Sequence, residues 1–196
     1  GSTPGNDTKL ALSRVEANRN FCNKIWQAAR FVLGNLGERA AEVTPLRQMA
    51  PAPEMSVADR WILSRYHRLV NDVNRLLAAY QLGEAGRQIY EFLWGEYCDW
   101  YIEISKVQLR GEDAAAAGRT RQVLVYVLDG CLRLLHPYMP FVTEAIWQYL
   151  PHEGAALIIA SWPIGGALDE GAEEAMGVFM ELVRANLFII PLDSKS

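Results

Sequence analysis

Apolar residues recur at three- and four-residue steps along nearly the whole chain, the spacing of one buried face of an α-helix. The first such stretch covers residues 13–33 and stops at "GNLG" (Gly34 to Gly37), since glycine readily takes the left-handed conformation that ends helices. A linker marked by Pro45, Pro51 and Pro53 follows. Ser56, with Asp59 three residues on, has the form of a capping box opening a second helix. The buried stripe expected there is Ile62, Tyr66, Leu69, Val73, Leu76 and Tyr80. "LGEAG" (82–86) breaks or restarts the chain. A third helix carries "EFLWGEYCDWYIEISK" (91–106) and ends near Gly111; "EDAAAAGRT" after it reads as a loose connection. A fourth helix, residues 120–135, buries Leu124, Leu128, Cys131 and Leu135, and "HPYMP" ends it because proline cannot continue a helix. Pro140 suits the first turn of a short fifth helix, 141–150. "ALIIASWP" (156–163) reads as an extended segment or a tail laid on the rest, and a last helix begins near Asp169 and reaches Arg184 or beyond.

The expectation is an all-α protein, an antiparallel helix bundle with a short extended segment and a final helix. Three parts are expected: 1–12 as a junction, opened by a two-residue cloning remnant; 13–150 as the bundle; 151–196 as the extended segment, last helix and an atypical C-terminus.

Composition narrows the classes. The chain has 196 residues, 51% of them hydrophobic, enough for a large core. No run of 18 apolar residues and no opening signal segment occurs, so a cytoplasmic protein without a membrane partner is expected. Cys22, Cys98 and Cys131 lie far apart without metal spacing and read as reduced core thiols. The net charge of −4 makes the whole chain no basic nucleic-acid binder, so charge has to be read segment by segment.

Catalytic and metal chemistry find little footing. In 91–106 an α-helical spacing puts Phe92, Glu96, Asp99, Glu103 and Lys106 on one stripe and Leu93, Trp94, Tyr97, Tyr101 and Ile104 on another. Clustered carboxylates serve acid–base chemistry where burial raises one pKa, and equally form the solvated edge of a buried helix. Asp99, flanked by Glu96 and Glu103, is expected to be a structural residue in a buried site, paired with Lys106 or a backbone N–H. A di-metal bundle site would need Glu-x-x-His pairs, and the residues three before His67, His136 and His152 are Ser64, Arg133 and Tyr149. His67 reads as a solvated residue on a polar face with Ser64 and Asn71; His136 reads as a cap for helix-end carbonyls. No phosphate loop, GxSxG or HExxH appears.

The first helix stands apart. Between Glu16 and Glu38 there is no acid, while Arg19, Lys24 and Arg30 make the stretch positive and Asn20, Asn23 and Gln27 line its polar side. A solvated helix usually mixes Glu with Lys. Amides and arginines suit base edges, stacking and phosphates, and an amide-rich seam against another domain would look the same. Arg60, Arg68 and Arg75 give the second helix a basic surface with the same two readings.

Four motifs, "RVEANRNFCNKIWQAARF" (14–31), "ADRWILSR" (58–65), "YEFLWGEYCDWYIEISK" (90–106) and "LHPYMPFVTEAIW" (135–147), resemble the anticodon-binding domain of class I aminoacyl-tRNA synthetases of the valine–isoleucine–leucine subgroup, over residues 5–185. "WGEYCDWYIE" is similar to the valyl branch. The resemblance implies a tRNA anticodon stem-loop as partner, with Arg19, Asn20, Asn23, Lys24, Gln27 and Arg30 as its binding residues. It implies Asp99, Trp100, Tyr101 and His136 as scaffold, and no catalytic residue or cofactor here. The HIGH and KMSKS signatures of such enzymes are not in these residues, and "DSKS" (193–196) is a chance echo. The parent would ligate valine to tRNA(Val) with ATP and Mg²⁺ on its own catalytic domain, a second partner; this chain alone would be inactive. "NLFIIPLDSKS" (186–196) departs from the basic helix expected after "ELVRA". The alternative is a helical protein–protein or interdomain docking module without RNA binding; DNA is not an expected partner.

Overall fold

The computed structural model describes residues 12–187, with side chains over 16–185. The junction and cloning-remnant readings on residues 1–11, and the atypical end beyond residue 187, lie outside the described residues. Every described regular element is helical. In chain order these are α1 (Leu12–Leu36), a 3-10 turn (Gly37–Glu42), α2 (Val57–Ala78), α3 (Leu82–Glu91), a π-helical stretch (Phe92–Tyr101), α4 (Ile102–Arg110), α5 (Ala114–Leu135), α6 (Pro140–Trp147), a 3-10 turn (Leu157–Ile159) and α7 (Glu170–Leu187).

Local chemistry explains most boundaries. α1 runs through Gly34 and stops when Gly37 takes φ 48°, a left-handed turn that glycine adopts without a Cβ clash. The Ser56 hydroxyl accepts the Asp59 N–H at 3.0 Å, the expected cap of α2. α2 ends in a Schellman arrangement: Tyr80 N–H donates to the Leu77 carbonyl at 3.0 Å and Gln81 N–H to that of Leu76 at 2.9 Å. Tyr80 therefore sits at φ 57° and is 90% exposed, not the last member of a buried stripe; its turn points it away from the core. Ile62, Tyr66, Leu69, Val73 and Leu76 are buried as expected. "EDAAAAGRT" is no loose connection. Asp113 accepts N–H bonds from Ala115 and Ala116, both at 2.9 Å, and the alanines, the best helix formers, open α5 six residues early.

α3, the π-helical stretch and α4 follow one another without a break. Because the middle is wound with i→i+5 bonds, residues four and five apart share its inner face. Leu93, Tyr97, Cys98, Tyr101 and Ile102 are buried, while Trp94 and Ile104, placed on the apolar stripe by α-helical spacing, are half-buried. Tyr97 Oη donates to the Leu124 carbonyl (2.8 Å) and Tyr101 Oη to Asp59 (2.6 Å), so two aromatic anchors enter the core with their hydroxyls satisfied. Tyr66 reaches the core only because residue 130 is glycine: a Cβ there would lie 1.8 Å from its hydroxyl.

α7 packs across α2, and a strap with Gly165 and Gly166 leads into it. A Cβ on Gly165 would meet Asn71 and one on Gly166 the His67 ring, at 2.0 and 2.8 Å, so the two glycines let the strap's backbone lie directly on α2. His67 and Ser64 are consequently fully buried, not solvated. His67 Nδ1–H donates to the Ala167 carbonyl at 2.8 Å; Ser64 Oγ accepts the Asp169 N–H at 2.8 Å and donates to Glu173 at 2.5 Å. Short polar side chains on α2 thus satisfy the backbone of the segment that covers them.

Candidate nucleic-acid interface

Helical spacing places Arg19, Asn23, Trp26 and Arg30 on one ridge of α1, with Asn20 and Gln27 beside it. All six are exposed. Among the described residues, Arg19, Asn20, Asn23, Gln27 and Arg30 form no side-chain hydrogen bond or ion pair, so Asn20 does not tie the helix to the linker. The opposite face is core: Phe21, Ile25, Ala28, Ala29 and Val32 are buried.

The sixth expected residue differs. Lys24 Nζ donates to Asp99 Oδ1 at 2.6 Å and lies 5.1 Å from the centroid of the Trp94 ring. The Asp99 hydrogen bond raises the Lys24 pKa against the opposing effect of burial. Lys24 thus links α1 to the π-helical stretch. Asp99 is no buried carboxylate with Lys106 as partner: its side chain is 44% exposed, and Lys106 pairs instead with Glu103 at 2.7 Å. The π winding carries Asp99 toward α1 and leaves Glu103, four residues on, to its neighbour at i+3. The other scaffold residues have ordinary structural contacts. Trp100 is half-buried, edge-on to Phe179 with the Arg184 guanidinium 5.6 Å from its centroid. His136 caps no carbonyl; it bonds Thr143 Oγ1 at 2.8 Å, and Thr143 in turn donates to the Met139 carbonyl, so the contact holds the start of α6.

The C-terminal end of α1 is fixed from α5. Arg121 Nε donates to the Asn35 carbonyl at 3.1 Å, and Gln122 exchanges two bonds with the Thr44 backbone, at 3.1 and 2.8 Å. An arginine on the last carbonyls of a helix also opposes its dipole.

The basic surface of α2 is occupied. Arg60 meets Asp169 at 3.4 Å, Arg68 meets Glu173 at 3.1 Å, and Arg65 forks onto Glu96 with both contacts at 2.7 Å. Hydrogen bonding to Glu96 raises the already high pKa of Arg65. Arg75 pairs with Asp72 at 2.9 Å. The Nε atoms of Arg60 and Arg68 are buried without a hydrogen-bond partner, which marks a packed seam rather than a wet surface. Within this chain Arg60, Arg65 and Arg68 are engaged by the start of α7 and by the π-helical stretch, whereas Arg75, 69% exposed, pairs only with Asp72 of α2 itself.

Among the described residues no group of His, Cys, Asp and Glu is arranged to hold a metal ion. Cys98 is pushed up to about 12 and Cys131 well above the ordinary thiol value, both by burial, so neither is a reactive thiolate.

A protein-family profile described as the anticodon-binding domain of tRNA ligase matches residues 59–188. The chain belongs to that family. This anticodon-binding domain is also 47% identical over 187 residues to the valine–tRNA ligase of Bacillus cereus (strain ATCC 10987), over 94% of this chain and 21% of that protein. The valine–tRNA ligase of Geobacillus stearothermophilus is 47% identical over the same shares, and that of Halalkalibacterium halodurans 48% identical over 94% and 20%. The domain therefore spans about a fifth of the length of the curated relatives it matches. The family profile begins inside α2, whereas the similarity to these relatives covers nearly the whole chain.

Sequence reasoning missed Trp26. It is 38% exposed and lies edge-on to Tyr149, itself 67% exposed. The signal was available: Trp26 stands three residues after Asn23 and four before Arg30, on the same ridge.

Proposed function

We propose that this domain is the tRNA-gripping part of a valine–tRNA ligase. It holds the anticodon stem-loop of tRNA(Val) on the exposed face of α1 and orients the acceptor end toward a separate catalytic domain of the parent, which ligates valine in the cytoplasm using ATP and Mg²⁺. The observation that carries this reading is the open face of α1: acid-free between Glu16 and Glu38, rich in amides and arginines, and without partners of its own among the described residues. Anticodon loops offer unstacked bases, the form in which RNA sequence is read. Arg19 and Arg30 suit phosphates or base planes, and Asn23 and Gln27 suit base edges. Lys24, held by Asp99, is a weaker candidate than its charge alone suggests. The contribution to ligation is positioning rather than bond chemistry.

The test is titration with stem-loop RNAs carrying valine and non-valine anticodons at several salt concentrations, for the wild type and for Asn23→Ala, Gln27→Ala and Arg30→Ala. With two arginines on phosphates, log affinity is expected to fall with log salt at a slope of roughly −1.4. Three folded variants that keep both affinity and anticodon preference would make this face a protein docking seam instead.

A further inference from the structure

We propose that Trp26 and Tyr149 form a stacking site for one unpaired RNA base, which extends the interface from α1 to the turn after α6. The proposal rests on the reading of the α1 face as the RNA-binding face. The two residues are 123 positions apart, and α1 and the turn that follows α6 bring their rings to 6.4 Å between centroids at 87°. Rings at a right angle make a corner, so a planar base stacked on one turns its edge toward the other. Trp26, 38% exposed, stands between Asn23 and Arg30 on the α1 ridge.

The surroundings decide what kind of ligand fits. A protein-docking aromatic is normally set among other apolar side chains. Trp26 is set among amide and guanidinium donors that have no protein partner among the described residues. A surface with an aromatic plane and hydrogen-bonding groups around its rim matches a nucleobase, whose faces stack and whose edges carry donors and acceptors. The neighbouring pair Tyr90 and Trp94 lacks this combination: the two rings stack on each other and pack against Phe21, with Lys24 already engaged beside Trp94.

The test uses the full chain and a set of anticodon stem-loops in which each loop nucleotide in turn is abasic. Trp26→Ala is expected to weaken binding by about 5- to 150-fold, the range for one stacked base. Trp26→Phe is expected to restore most of that loss, and Tyr149→Ala to cost less than Trp26→Ala. One abasic position is expected to weaken the wild type by a similar factor and to leave Trp26→Ala no weaker than with the intact loop. A folded Trp26→Ala protein that binds as the wild type does, while Arg30→Ala binds weakly, overturns the stacking site and spares the α1 reading. A Trp26→Ala loss of the same size on every abasic RNA also overturns it. A wild type that binds no stem-loop at all refutes both.

Discussion

α1 and α2 each carry a polar, arginine-bearing face, and in sequence the two invite the same pair of readings. In the fold they part. The α2 face is covered: Arg60, Arg65 and Arg68 meet Asp169, Glu96 and Glu173, while Ser64 and His67 hold the strap and the start of α7. Among the described residues the α1 face is bare, its one tied cation being Lys24 at the border. The difference lies in where the acids are. Asp72, beside Arg75, is local, but the acids that meet Arg60, Arg65 and Arg68 come from elements 31 to 109 residues away and are invisible to local inspection. A cluster of arginines indicates a ligand only after the chain's own carboxylates have been placed.

The comparison breaks most readily at Glu173. It accepts from Ser64 and Arg68, stands 3.6 Å from Arg65, and its side chain is 17% exposed. Glu173→Ala leaves these donors without their acceptor at a mostly buried site. It is expected to cost about 2–3 kcal/mol in urea unfolding, with RNA affinity of the folded protein unchanged. Lost RNA binding with intact stability would mean that the α2 seam, not α1, is the interface. Arg30→Ala is the converse experiment. Stability is expected to stay within about 0.5 kcal/mol, as for other exposed sites. RNA affinity should drop by about 1–3 kcal/mol if the guanidinium reads a base edge, by analogy with bidentate arginine contacts.

Acid sharpens the contrast from another side. Burial lowers the His67 pKa below its ordinary 6.5, against the hydrogen bond to Ala167. The unfolded chain takes up that proton first, so the stability at stake is present above pH 6.5 and is lost as pH falls below it. The slope has an upper limit of about 1.4 kcal/mol per pH unit. Asp59 acts in the opposite sense: burial raises its pKa, opposed by bonds from Tyr101, Ser56 and Thr120, so its ionised form is disfavoured and acidification through its raised value relieves that cost. Urea unfolding of wild type and His67→Gln between pH 7 and 5 measures the first effect. An equal loss in both proteins would show that the histidine is not its source. The smallest effect is expected at Asp99. Its bond to Lys24 is a half-exposed surface pair, worth about 0–1 kcal/mol, and Asp99→Asn should barely shift the melting temperature. Freed Lys24 should steepen the salt dependence of RNA binding by no more than about 0.7; a shallower slope would show that Asp99 presents the lysine rather than restrains it.

Legibility followed the range of the interactions. Helix existence, the Ser56 cap, the proline start of α6 and the amide ridge of α1 depend on residues within a few positions of each other, and all could be read. The register of 91–106 could not, because ten residues wind as a π-helix and the α period then assigns the wrong faces. Nor could the burial of His67, which depends on glycines about 100 residues away, or the partner of Asp99, 75 residues back in α1. The early start of α5 rests on local signals as well, an Asp113 cap followed by a run of alanine, the strongest helix former.

The seam between α2 and α7 also has a mechanical consequence. Apolar surfaces slide with little change in energy, whereas a carboxylate engaged by two arginines and a serine accepts only one register. Glu173 lies in the first turn of α7, and α-helical rise puts the Leu187 end about 21 Å beyond it. A tilt of only 10° about that point would swing the far end by about 4 Å. The ionic fastening at Glu173 is therefore an aiming device as well as a source of cohesion: it sets the bearing of the helix on which it sits.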